Sequence, residues 1–407
     1  MPLTQAIGGD IAASPPGRTA RLTRSSTLAA NVTIMSTGAA DLPRIRTQVG
    51  AALDEFIARQ RRELGGIAAD LLPCADAIAD LVAGGKRLRA AFCYWGWRAC
   101  GGADCPEIFA AAASLELLHA SALVHDDVMD ASAIRRGQPA AHARFAAMHA
   151  LAGWRGSADA FGAGAAILIG DLLLAWTDEM LRGSGFGPAA AWRGLSELDA
   201  MRTEVFAGPF LDLLEQASGK PAIDSALRVV TYKSAKYTVE RPLHLGAAMA
   251  RAPDPSPASK RGRLTGDPAA RPDPRGALTD YGVRIGIAFQ LRDDILGVFG
   301  DPARTGKPVT GDLREGKRTV MLAIALDRAS RDQAALMDRA IGDPGLNEED
   351  AGRVKAIITS TGALAECEAI IDSNVKHALA TLSSAPITPL AASALAELAV
   401  AATARAD

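Results

Sequence analysis

Three carboxylates crowd one short stretch of the chain: Asp126, Asp127 and Asp130, within LELLHASALVHDDVMDASAIRRGQPAAH (115–142). At about 100° per residue, positions i, i+1 and i+4 put all three on one helical face within a turn. Carboxylates that close repel one another and destabilise the fold unless cations neutralise them. Hard oxygen ligands suit Mg2+, which keeps waters and shares itself with substrate phosphates. The alternative is a solvated acidic helix face, the usual fate of a charge run. The cluster, however, follows an apolar run (Leu115, Leu117, Leu118, Leu123, Val124), and Arg135 and Arg136 come soon after it. These neighbours mark a functional cluster.

A second acidic pair, Asp293 and Asp294, ends the apolar stretch in AFQLRDDILGVFGD (288–301), with Gln290 one turn earlier on the same side. Two such pairs can form two faces of one metal cluster. Past it, TGKPVTGDLREGKRT (305–319) carries Lys307 and Lys317 as separated cations in a loop-rich stretch, where lysine suits phosphate oxygens as a point charge. GGKRLRA (84–90) opens a helix after a Gly-Gly turn. Lys86 and Arg89 then fall at i, i+3 near a helix N-terminus, whose dipole also favours an anion. YKSAKY (232–237) places Lys233 and Ser234 on a predicted helix. Two acidic faces with separated cationic sites suit substrates that carry diphosphates on apolar tails.

The elements that must position these groups are helices. The chain is 49% hydrophobic but only 5% aromatic, so small aliphatics carry the apolar content, and Ala and Leu favour helix. Helical spacing recurs over about 42–64, 66–83, 86–100, 106–131, 138–150, 157–182, 188–217 and 223–250, then 277–298 and from about 317 onward. Nothing alternates at period two for long enough to be a buried strand. The expectation is one all-α domain over 41–407, preceded by a disordered extension (1–40) and interrupted by a proline-rich loop at about 252–276. In 407 residues, 44 Lys+Arg against 46 Asp+Glu leave a formal charge of -2, no field to hold a polyanion, and nucleic-acid binding is excluded. No apolar run approaches the roughly 18 to 20 residues that span a bilayer, so a soluble, cytoplasmic protein without a membrane span is expected. The five cysteines include no CxxC and none stands near a His at ligand spacing, and they read as reduced core thiols.

From about residue 42 to 385 the chain resembles the trans-isoprenyl diphosphate synthase (polyprenyl synthetase) family. GGKRLRA, HDDVMDASAIRRGQPAAH, FQLRDD and GKPVTGDLREGKRT stand in family order. The resemblance implies a bundle of long antiparallel helices around a central cavity, and condensation of isopentenyl diphosphate with an allylic diphosphate (dimethylallyl, geranyl or farnesyl). It implies Mg2+, about three ions with substrate bound, held by Asp126, Asp127, Asp130, Asp293 and Asp294. Arg135, Lys233, Ser234, Gln290, Lys307 and Lys317 would take the allylic diphosphate; Lys86, Arg89, His119 and Arg136 would clamp isopentenyl diphosphate. His125 reads as structural. A homodimer is the family habit.

Three positions depart from the family pattern. Gly297 stands where a full second DDxxD has its third carboxylate, with Asp301 a substitute. Pro209 in AGPFLD (207–212) replaces the Gln of GQxxD, leaving Asp212 a secondary candidate. Ser234 replaces a Thr and keeps the hydroxyl. In this family bulky side chains four or five residues before the first Asp close the product tunnel. Here Ala122 and Ser121 are small and Leu118 and Leu117 are the next floor, which implies geranylgeranyl diphosphate as the product. The resemblance also allows two other functions. A class I terpene cyclase needs no second diphosphate clamp such as Lys86, Arg89 and Arg136, and a non-catalytic regulatory subunit would have decayed acidic motifs.

Overall fold

The computed structural model describes residues 41–218, 222–250, 272–300 and 311–403. The segment 1–40, most of the proline-rich stretch, Asp301 and Lys307 lie outside the described residues. Helices follow one another: α1 (Leu42–Ile67), α2 (Leu72–Val82), α3 (Leu88–Ala99), α4 (Pro106–Met129), α5 (Ala141–Leu151), α6 (Ala158–Arg182), α7 (Pro188–Ser218) and α8 (Ile223–Val229). A π-helical segment, Val230–Glu240, runs on into α9 (Arg241–Ala250). Then come α10 (Arg275–Phe299), α11 (Gly311–Arg314), α12 (Val320–Arg328), α13 (Arg331–Ala340), α14 (Glu348–Ser360), α15 (Ala363–Ser384) and α16 (Pro389–Thr403). Among the described residues the one sheet is a two-residue antiparallel pair, β1 (Ile134–Arg135) and β2 (Gln138–Pro139). The all-α expectation holds.

Sequence pattern explains which faces are buried. In α1, Ile45, Val49, Leu53, Phe56 and Ile57 recur at helical spacing and are all buried, leaving the charged remainder outside. Helix α4 is apolar nearly all round, from Ile108 through Leu115, Leu117 and Leu118 to Val124, and so sits in the middle of the larger core. A second core gathers α12, α14 and the start of α15. Helix α10 belongs to both: Leu278, Tyr281 and Ile285 enter the first, and Leu291, Ile295 and Val298 the second. Asp293 and Asp294 therefore sit on the half of α10 that joins the second core. Helices α3 and α9 touch backbone to backbone. A Cβ on Gly96 would lie 2.2 Å from the Leu243 carbonyl oxygen, and one on Gly246 1.9 Å from that of Cys93. Two glycines thus bring Arg89 at the start of α3 beside the π segment.

One expectation is corrected. By length and composition α4 and α6 could each cross a bilayer, with mean hydropathies of 1.4 and 1.6. In α6 the charged residue Asp171 interrupts the apolar stretch without ending the helix. In α4 the apolar window is 72% buried inside the fold, so it is a core helix; in α6 it is 39% buried. The five cysteines form no disulfide, and Cys93 and Cys367 are fully buried.

Candidate active site

A cavity of about 420 Å3 opens between the start of α3, the C-terminal half of α4, α7, the π segment, α10 and the stretch 312–319. Its acidic side is built from both aspartate motifs. Asp126 reaches the cavity from α4, 3.3 Å from Lys233 Nζ. Lys233 also donates to Asp212 Oδ2 at 2.7 Å. Burial alone would lower the pKa of this lysine; Asp126 and Asp212 outweigh that and raise it. The close approach needs Gly208, because a Cβ there would lie 2.5 Å from the backbone of Lys233. Next to it Pro209 forms part of the cavity wall and offers no N–H to the Val205 carbonyl one turn back.

The three aspartates do not share one open face, as their spacing led us to expect. Helix α4 ends at Met129. Asp127 is 2% exposed and turns to the β1 strand, where it accepts two hydrogen bonds from Arg135, one from Nε at 2.9 Å. Asp130 caps the helix end; burial and then Asp126 push its pKa up to about 6. Across the cavity Asp294 is 7% exposed and accepts from Gln290 Nε2 at 2.7 Å. Burial first, with Asp293 and Asp312 adding to it against the Gln290 bond, pushes it up to about 7. Lys317 Nζ stands 2.9 Å from Asp312 Oδ1 and 2.6 Å from Glu315 Oε2. Ser234 lines the cavity beside Lys233.

These residues fit Mg2+. Among the described residues no three of the His, Cys, Asp and Glu side chains converge on one point as a closed cage. That suits an ion held through one or two carboxylates, waters and substrate phosphates. Burial first, and neighbouring carboxylates after it, disfavour the charged forms of Asp130 and Asp294, and a divalent cation at the site would offset both.

The basic side faces the same cavity. Lys86 and Arg87 precede α3, which starts at Leu88, so Lys86 lies outside the helix that its spacing suggested. Arg87 and Arg136 both take left-handed backbone conformations, at φ 55° and 52°. Arg87 Nη1 donates to Glu116 Oε2 at 3.0 Å, and both side chains are buried. Arg89 Nη2 donates to Thr238 Oγ1 at 3.0 Å, and its guanidinium stands 4.2 Å from the centroid of the Tyr237 ring. The Tyr237 hydroxyl is 3.0 Å from His119 Nδ1. Burial, and then Arg89 and Arg136, hold the His119 pKa well below the usual imidazole value, so this ring is neutral at pH 7.

Of the chain-length candidates only Ala122 lines the cavity. Ser121 turns to α6 and donates to the Gly170 carbonyl at 2.8 Å, while Leu117 and Leu118 are buried in the core. His125 lies away from the cavity, 3.3 Å from the Ile167 carbonyl. The sequence reading did not single out Glu116, Tyr237, Thr238 or Asp312. Glu116 is one turn before His119 on α4, a usable signal; Tyr237 and Thr238 depend on the π winding, which has no sequence mark.

Comparison with known proteins bears on the same residues. The polyprenyl synthetase family model matches residues 73–360. The chain belongs to the polyprenyl synthetase family. This synthetase is 31% identical over 354 residues to the geranylgeranyl diphosphate synthase of Mycobacterium tuberculosis, covering 86% of this chain and 91% of that one. It is 32% identical over 308 residues to the geranylfarnesyl diphosphate synthase of Aeropyrum pernix, covering 75% and 85%. Among solved structures, the geranylgeranyl pyrophosphate synthase of Corynebacterium glutamicum, complexed with isoprenyl diphosphate and magnesium, superposes with a TM-score of 0.80 at 36% identity. That match covers 89% of this chain and 99% of the other. The polyprenyl synthetase described here is a trans-prenyltransferase by family.

Proposed function

We propose that this enzyme condenses isopentenyl diphosphate with an allylic diphosphate, in the presence of Mg2+, to give geranylgeranyl diphosphate. The observation that carries the reading is one cavity with two chemically distinct ends. Asp126, Asp293 and Asp294 stand with Lys233 and Lys317 at one end, and Lys86, Arg89 and Arg136 with neutral His119 at the other. Bound Mg2+ would neutralise charge on the departing diphosphate and so favour ionisation. Lys233, Lys317 and Arg135 hold the allylic diphosphate oxygens. Asp127, buried and doubly bonded to Arg135, fixes that guanidinium in place. At the other end Arg89, braced by Tyr237 and Thr238, holds isopentenyl diphosphate with Lys86 and Arg136. The allylic C–O bond breaks and the cation spreads over two carbons. The C=C of the held isopentenyl group attacks it, and a proton passes to the released pyrophosphate. The chain's contribution is positional and electrostatic.

The second cationic clamp disfavours a cyclase, which acts on one prenyl diphosphate. Intact leading aspartates in both motifs disfavour a regulatory subunit. The enzyme works in the cytoplasm as a homodimer, with residues 41–407 as its catalytic domain and 1–40 as an extension. Support for pairing comes from the outer face of α6, where Phe161, Ile167 and Leu168 are exposed at 38, 46 and 70%. Asp171, 65% exposed, interrupts that face and makes lipid a poor partner for it. The test of the activity is incubation with Mg2+, isopentenyl diphosphate and each allylic primer, with dephosphorylated products sized by mass spectrometry. A dominant C20 alcohol is expected; no isopentenyl-dependent product would overturn the proposal.

A further inference from the structure

We infer that Glu204 of α7 is a positioning residue: by bonding Lys236 and Arg241 together it selects the π winding of Val230–Glu240 and so keeps the two substrate ends of the cavity in register. This rests on the proposed condensation of two diphosphates, and it concerns a residue that is not on the cavity wall. Lys236 Nζ donates to Glu204 Oε1 at 2.6 Å, and Arg241 donates from Nε to Oε2 and from Nη2 to Oε1, both at 2.7 Å. The two cations are five residues apart. In an ordinary α-helix such residues point about 140° away from each other; here one carboxylate holds both. The backbone agrees, because the Arg241 N–H donates to the Lys236 carbonyl, a bond that reaches five residues back. The three side chains are 13 to 16% exposed. Burial alone would raise the pKa of Glu204; the bonds from Arg241 and Lys236 outweigh it and lower it, so the carboxylate is charged at neutral pH.

The packing around the segment fixes its distance from its neighbours and leaves its rotation to side chains. Helices α7 and α10 approach it backbone to backbone. A Cβ on Gly208 would lie 2.5 Å from the Lys233 backbone, one on Gly286 2.4 Å from Ala235 Cα and one on Gly282 2.7 Å from Glu240 Cα. On α7, Glu204, Gly208 and Asp212 stand at i, i+4 and i+8, so one helix face meets the segment three times. Asp212 takes Lys233 at the allylic end. The cations that Glu204 takes bracket Tyr237 and Thr238, which brace Arg89 at the isopentenyl end. Released from Glu204, the stretch 236–241 would relax toward ordinary helical bonding and turn Tyr237 and Thr238 away from Arg89, while Asp212 still held Lys233.

The experiment compares two fates of geranyl diphosphate on one preparation of the full chain with Mg2+. With isopentenyl diphosphate the allylic C–O bond breaks, a C–C bond forms, and the lost proton passes to pyrophosphate. With inorganic pyrophosphate in its place, water adds to the allylic cation and a prenyl alcohol leaves, the proton again passing to pyrophosphate. Hydrolysis needs only the allylic end. A smaller folded fraction lowers both rates equally, so their ratio reads register alone. Glu204→Gln should lower the ratio of condensation to hydrolysis roughly 10- to 100-fold, and Lys236→Met should lower it too. A ratio in Glu204→Gln within about twofold of the parent overturns the inference. If Glu204→Gln fails to fold, Lys236→Met decides: an unchanged ratio overturns the inference and a lowered one supports it. A parent protein that makes no isopentenyl-dependent product would instead overturn the proposed function, and this inference with it.

Discussion

Ala122→Phe should shorten the product, and the structure sets how sharply. Ala122 is the one chain-length candidate on the wall of the roughly 420 Å3 cavity, with Val205 and Pro209 also on that wall. A phenyl ring there takes space that the far end of a growing tail would use. A terminal isoprene unit has five apolar carbons, and at about 0.8 kcal/mol each its burial contributes roughly 4 kcal/mol. Excluding the unit entirely would cost on the order of a thousandfold in favour of the shorter chain. Partial exclusion still leaves a factor above about ten, so C20 should fall below roughly a tenth of total product and C15 should replace it. The assay is mass spectrometry of dephosphorylated products from dimethylallyl and geranyl primers at equal conversion. Ser121→Phe is the internal control. Its side chain is wedged between α4 and α6 with Oγ 2.8 Å from the Gly170 carbonyl. It should lower stability by about 1–3 kcal/mol through overpacking without changing product length. An unchanged C20 share in Ala122→Phe would refute this account of the wall, as would shortening by Ser121→Phe alone.

Three further outcomes are expected. Glu116→Gln leaves Arg87 buried without its counter-charge 3.0 Å away; urea midpoints should show a loss of about 3–5 kcal/mol, partly restored by inorganic pyrophosphate. Lys233→Met removes the cation between Asp126 and Asp212. Steady-state kinetics should show kcat/KM for the allylic substrate down roughly 100-fold with the KM for isopentenyl diphosphate little changed. The folded-state pKa of Asp294, about 7, lies above its ordinary value. Its protonation therefore stabilises the metal-free fold fully below that ordinary value, and the stabilisation is lost as pH rises through 7. Metal-free protein should be roughly 2 kcal/mol more stable at about pH 5.5 than at about 7.5, a difference readable in urea. Mg2+ with pyrophosphate should reverse the trend, since binding needs the ionised carboxylate.

The parts of the site that were legible in sequence are those that lie within a single helix. Asp126 and Lys233 reach the cavity as their helices suggested, and the apolar run before Asp126 marked α4 as a core helix. What depends on two elements meeting was hidden. The commitment of Asp127 to Arg135 follows from where the β1 strand crosses the end of α4. The turn of Ser121 toward Gly170 follows from how α4 packs on α6. Lys86 left the helix because α3 starts later than the glycine turn implied. Asp312 stands inside the motif GKPVTGDLREGKRT, but its closeness to Gly297 exists only across the gap between α10 and α11.

The π-helical winding of Val230–Glu240 has a consequence for how this chain can vary. Backbone bonds that reach five residues back, rather than four, amount to surplus residue held in place by the surrounding packing. Removing one residue from the segment would let it return to ordinary helix. The residues of the segment on either side of the deletion would then change their facing relative to one another. A deletion just before Lys233 would swing it off Asp126, and one between Lys233 and Tyr237 would part the allylic cation from the brace of Arg89. The site can thus tolerate exchange of side chains along this segment far better than loss of a single position: its length, more than its composition, keeps the two substrates in register.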